Sequence, residues 1–180
     1  MKFLKVSLLI VVIAIVGLLV YGLFIPTDLR VVEKISINKP IAEVYDFTKL
    51  LKNQSLYSKW QLMDPQMEHY FEGEDGTVGF VSGWKSENPD VGSGEQEIIA
   101  IMDGQRIDYE LRFFEPFESK SQAFMVFTST APDQTEVTWG FDSEMAYPMN
   151  LMIPMMDMQV ALSDDFSVGL ANLKAFLEKN

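Results

Sequence analysis

The sequence contains no cysteine, which excludes disulfide scaffolds, Cys-based zinc sites, iron–sulfur clusters and thiol nucleophiles. Histidine is almost as scarce: the single one, His69, rules out a three-histidine metal site within one chain. Basic residues are the third shortage, 14 against 26 acidic, for a formal net charge of −12. Sequence-independent binding to phosphate backbones depends on basic charge, so no nucleic-acid partner is expected. Nucleophile elbows, phosphate-cradling glycine loops and HExxH patterns are also missing. These shortages leave no catalytic residue to name, and neither a metal nor a cofactor is expected. What is there is a chain of 180 residues, 48% hydrophobic and 22% charged, the composition of a folded protein. It has room for one sizeable domain and a short appendage.

The appendage is the long apolar run. Residues 6–25 read VSLLIVVIAIVGLLVYGLFI, without a charge. At about 1.5 Å of rise per residue, such a helix spans the roughly 30 Å hydrocarbon core of a bilayer. Lys2 and Lys5 precede it, Pro26, Thr27 and Asp28 end it, and Tyr21 sits where an interfacial aromatic is favourable. A cleaved signal peptide has a shorter apolar stretch, of about 7–15 residues, and a small-residue cleavage pattern that Leu23-Phe24-Ile25-Pro26 lacks. The pattern predicts a short tail over 1–5, a transmembrane helix over 6–25 and one domain over 26–180. That domain is expected to fold without the first 25 residues. Lys2 and Lys5 favour a cytoplasmic N-terminus. Arg30, Lys34 and Lys39 lie beyond the far end, but long domains translocate largely regardless of charge. The expected location is therefore a single-pass membrane protein with its domain outside the cytoplasm.

The remainder reads as α+β. β-Branched residues mark a strand over 29–37. Pro40 then starts a helix in which Ile41, Val44, Tyr45 and Thr48 recur at helical spacing. A second short helix is expected over 53–60, with Leu56 and Trp60 on one face. After Asp64-Pro65 the period becomes two, and six strands are expected over 67–72, 78–85, 94–102, 105–113, 119–130 and 134–144. Asp103-Gly104 is a two-residue hairpin turn. Ile107, Tyr109, Leu111 and Phe113 point one way and Asp108, Glu110 and Arg112 the other, as do Val137, Trp139 and Phe141 against Glu136, Thr138 and Asp142. This is an antiparallel sheet with one covered face. Its cover is a long helix over 155–178, with Met158, Leu162, Phe166, Gly169, Leu173 and Phe176 as its apolar stripe.

This order of elements resembles the START-like (SRPBCC) superfamily and its helix-grip fold, specifically the polyketide cyclase/dehydrase and lipid-transport branch. The residues that carry the resemblance are Ile35-x-Ile-Asn-x-Pro40, Trp60 with Asp64-Pro65, Gly79 and Trp84, Gly92-x-Gly94, and Gly169-Leu170-x-Asn172-Leu173-Lys174. It covers roughly residues 29–178. It implies about seven strands curled around the long C-terminal helix, with an apolar cavity between them. It does not imply one chemistry, because such folds host many.

The cavity-lining candidates are Trp60, Phe80, Trp84, Tyr109, Phe113, Met125, Trp139, Met152 and Met156, large apolar side chains that converge on one face of the sheet and on the segment covering it. The function expected is a membrane-anchored module that holds a lipid-like or other apolar small molecule. The alternatives are a cyclase- or hydrolase-type enzyme using the same cavity, and an interaction domain whose core is filled by its own side chains. His69 shares a face with Met67 and Phe71, away from Glu68, and reads as a structural or surface residue rather than a base. Glu95 and Glu97, about 7 Å apart on one strand face, have the spacing of glycosidase carboxylates but read as a wet sheet face. Met145, Met149, Met152, Met155, Met156 and Met158 could offer thioethers to Cu(I). With no cysteine or nearby histidine to complete a site, they read as packing, pocket lining or membrane contact.

Overall fold

The apolar run begins the chain as a helix, α1 (Lys2–Gly22), in which residues 3–21 are exposed on every side. The structure, a computed structural model, describes residues 2–179, so Met1 and Asn180, the outer ends of the expected tail and domain, lie outside the described residues. The helix starts within the stretch read as a tail and stops three residues short of Ile25. After β1 (Asp28–Ile37), Pro40 caps α2 (Ile41–Thr48). The helix expected over 53–60 is instead two pieces, a 3-10 helix (Leu51–Leu56) and α3 (Lys59–Met63). Tyr57 breaks them apart by leaving helical geometry, with φ −140°, to bury its ring completely in the core. Leu56 is therefore exposed and does not share a face with Trp60.

Six strands follow: β2 (Glu68–Glu72), β3 (Val81–Lys85), β4 (Ser93–Met102), β5 (Arg106–Glu115), β6 (Ser119–Ala131) and β7 (Gln134–Glu144). All neighbours pair antiparallel, in the order β1-β7-β6-β5-β4-β3-β2. A register shift between Ile98 and Ala100 helps to curl the sheet. The chain then crosses the open side through a 3-10 turn (Met149–Leu151) and a one-turn α4 (Met152–Met155) before α5 (Met158–Lys179). The last helix begins later than expected because Asp157 has a positive φ of 46°.

α5 lies in the concave face of the sheet. Gly169 permits the closest approach: a Cβ there would stand 2.9 Å from Trp139 Cζ3. Phe166 meets Trp139 edge-on at 4.6 Å between centroids, and Leu170, Leu173 and Leu177 are buried beyond it. Ile37, Val44, Tyr57, Ile98, Ile107, Tyr109, Met125 and Val137 close the core around that half of the helix. The architecture is α+β, a seven-stranded antiparallel sheet gripping a C-terminal helix.

Candidate functional site

Strand register explains why one end of this sandwich is solid and the other hollow. At the solid end the facing inward residues are large, as in Ile107 opposite Met125 and Met125 opposite Trp139. Two residues along each strand the inward row becomes Ile98, Tyr109, Ala123, Phe141 and Val31. The next row is Ser82, Gln96, Leu111, Ser121, Ser143 and Leu29, small or polar at four of six positions. These side chains cannot reach the helix, and a cavity of about 590 Å³ remains above them. Met158, Leu162 and Phe166 of α5 roof it, Gln54, Ser58 and Trp60 wall one side, and Met145 to Met152 close another. Its mouth lies between the β5–β6 loop around Phe117, the β3–β4 loop at Pro89–Val91 and the segment after β7.

Five of the nine cavity candidates, Trp60, Trp84, Phe113, Trp139 and Met152, line this space. Phe80, Tyr109 and Met125 are fully buried in the solid core instead. Met156 is exposed, because the backbone turn at Asp157 carries it outward. The floor residues Ser82, Gln96, Ser121, Ala123 and Ser143 were not among the candidates. Their signal is a small or polar residue at alternate inward positions of several strands, which only strand pairing brings into two adjacent rows.

Two polar side chains address the cavity without a partner among the described residues. Gln54 is 7% exposed and its Nε2 lacks an acceptor; Gln96 is 8% exposed and its amide makes no side-chain hydrogen bond. Ser121 Oγ donates to Ser143 Oγ at 2.9 Å, and Trp84 Nε1 donates to the Val91 carbonyl at 3.4 Å. Beneath Gln54 the buried hydroxyls of Tyr57 and Tyr109 are also without partners. Burial pushes both phenols up, so they stay neutral. No Lys, Arg or His lines the cavity among the described residues, while Asp90, Glu115, Glu118 and Glu144 stand near its mouth. The space therefore suits an uncharged, largely apolar molecule with a hydrogen-bonding group at one point.

The charged clusters lie elsewhere. Glu95, Glu97 and Glu110 converge on Arg112 across the outer face of the sheet, at 2.9, 2.6 and 2.8 Å. Tyr70 donates its hydroxyl to Glu95. That bond, with Arg112, holds Glu95 below the usual carboxylate range, while burial and Glu95 push Tyr70 up to about 12. His69 is exposed and stacked on Phe71 at 6.1 Å. Asp165 pairs with Lys59, and Asp75 accepts from the backbone N–H groups of Leu51 and Lys52 at the start of the 3-10 helix. Among the described residues, no three acidic or histidine side chains converge as a metal site. Of the six clustered methionines, Met145, Met149, Met152 and Met158 line the cavity, and Met155 and Met156 face outward.

No protein-family model matches the chain, and no curated protein matches it. Solved structures do. The chain is similar to the di-domain ARO/CYC protein StfQ of the steffimycin biosynthetic pathway, with a TM-score of 0.62 and 12% identity over 85% of this chain and 51% of that one. It is similar to Ara h 8.0201, with a TM-score of 0.56 and 14% identity over 85% and 99% of the two chains. A protein from Nitrosospira multiformis gives 0.57 and 19% over 81% and 94%. At these identities the likeness is one of fold, and that fold is the helix-grip arrangement of sheet and C-terminal helix.

Proposed function

We propose that this chain is a membrane-anchored binding module that holds a lipid-like or other apolar small molecule between its sheet and C-terminal helix. The observation that carries the reading is the cavity itself. Its volume of about 590 Å³ falls within the roughly 300–1,000 Å³ of small-molecule sites, and apolar surface dominates its walls. A domain of this size ordinarily packs its interior solid, so a row of small residues over such a void has a cost in stability that bound ligand would offset. The anchor is α1, whose segment Phe3–Gly22 is long and apolar enough to cross a membrane and, apart from Gly22 at its end, is not buried against the domain. A helix apolar on all sides is stable where lipid surrounds it. Lys2 and Lys5 support an N-terminus in the cytoplasm, with the domain on the other side.

A cyclase-type reaction in the same cavity is the second reading, favoured by the fold shared with an ARO/CYC protein. Uptake of an apolar fluorescent probe by the full chain in nanodiscs tests the first. Ser121→Phe places a ring on the cavity floor. The expected result is saturable uptake by the native chain and at least a tenfold loss in the variant, with the thermal unfolding midpoint little changed. Equal uptake by both would refute binding at this site, and conversion of a bound molecule would favour the enzyme.

A further inference from the structure

The mouth of the cavity and the exit of α1 lie at the same end of the molecule. Asp28, the first residue of β1, faces Glu144, the last of β7. Ser121, near the start of β6, faces Ser143, and Ser93, the first of β4, faces Glu115, the last of β5. The β3–β4 loop, the β5–β6 loop and the segment after β7 therefore gather around the point where α1 ends.

That point is stitched to the domain. Asn150, only 1% exposed, donates from Nδ2 to the carbonyls of Gly22 at 2.8 Å and Ile25 at 2.9 Å. Met145 N–H donates to the Thr27 carbonyl at 2.7 Å. Gly22 packs so closely that a Cβ there would lie 3.0 Å from Leu151 Cγ and 3.2 Å from Tyr147 Cε2. Tyr147, a residue of the cavity mouth, thus rests against the last turn of the apolar helix. Phe117 and Met149 line the same mouth as Tyr147, and Met155 and Met156 follow on the same segment; the four are exposed to 63%, 43%, 67% and 61%. Clustered exposed apolar side chains of this kind mark interaction surfaces.

We propose that this end of the domain lies on the bilayer that α1 enters, with Phe117, Tyr147, Met149, Met155 and Met156 seated among lipids, so that the cavity opens to the membrane and fills from it. The proposal rests on the anchor reading. The occupant is then an uncharged lipid carrying a carbonyl or hydroxyl. Gln54 and Gln96 can serve such a group, whereas a phosphate or carboxylate would find no cation in the cavity. The mouth carboxylates Asp90, Glu115, Glu118 and Glu144 fit a zwitterionic surface better than an anionic one, since anionic leaflets attract basic segments.

The absence of cysteine allows one label per chain. Met155→Cys and Phe117→Cys mark the proposed surface. Asp133→Cys marks the β6–β7 turn at the other end of β7, roughly 35 Å away at strand rise. Each full-length variant carries an environment-sensitive fluorophore in phosphatidylcholine vesicles. Nitroxide lipids should quench the labels at 155 and 117 at least fivefold more than the label at 133, and aqueous iodide should show the reverse order. Iodide quenching all three alike overturns the proposal. Probe uptake by the same vesicles reads the cavity separately. Labels in lipid without uptake support the docking surface and fail the binding module. Uptake with labels in water does the opposite.

Discussion

Arg112 gathers three carboxylates on the outer face of the sheet, and its effect on stability has a defined pH dependence. Glu95 is held below its ordinary value of 4.5 by the Tyr70 hydroxyl and then by Arg112, and Glu110 is held low chiefly by Arg112. A depressed folded-state value means that the stabilisation is complete above about pH 4.5 and is lost as pH falls below it. Arg112→Gln should cost about 1–2 kcal/mol at pH 7, between an exposed ion pair and a charged hydrogen bond. Urea unfolding at pH 7 and pH 3 should show that difference shrinking in acid; an equal difference at both would refute the assignment. Single residues were only partly legible in sequence. Trp84, Phe113 and Trp139 belong to strands whose alternation gives an inner face, and Trp60 and Met152 to the elements that cover it, but Phe80, Tyr109 and Met125 carry the same signal and are fully buried in the core instead. Face is a property of one strand, whereas distance along the sheet depends on the register of several.

Elements with a strong period were the readable ones. The seven strands formed where alternation and turn residues indicated, and the stripe from Met158 to Phe176 packs against the core. Elements broken by tertiary demands were not readable. Burial of the Tyr57 ring splits the expected helix over 53–60, and the turn at Asp157 separates α4 from α5. The coupling across residue 25 was not legible for a similar reason, since nothing in the sequence indicates that Asn150 bonds to carbonyls 125 and 128 residues away. A domain beginning at Pro26 leaves the buried Asn150 amide without those acceptors, while one beginning at Tyr21 keeps them. The shorter domain should be less stable by about 1–3 kcal/mol, the cost of an unsatisfied buried donor. Equal denaturant midpoints would mean that the junction contributes nothing.

At the scale of the whole molecule, sheet, C-terminal helix and α1 combine into one arrangement. The sheet is solid under the second half of α5 and hollow under the first, and the hollow end is the end that carries α1. Large residues at one end and Ser121, Ala123 and Ser143 at the other make a cavity of about 590 Å³ out of register alone. Holding an apolar molecule there is the central claim. It is tested most directly by native mass spectrometry of the full chain released from nanodiscs, beside Ser121→Phe prepared identically. The account predicts an added mass on the native chain, one uncharged lipid-like molecule per protein, and its loss in Ser121→Phe while the fold persists. A native chain that carries no added mass even after incubation with membrane lipid extract, or an added mass that survives Ser121→Phe, would contradict it.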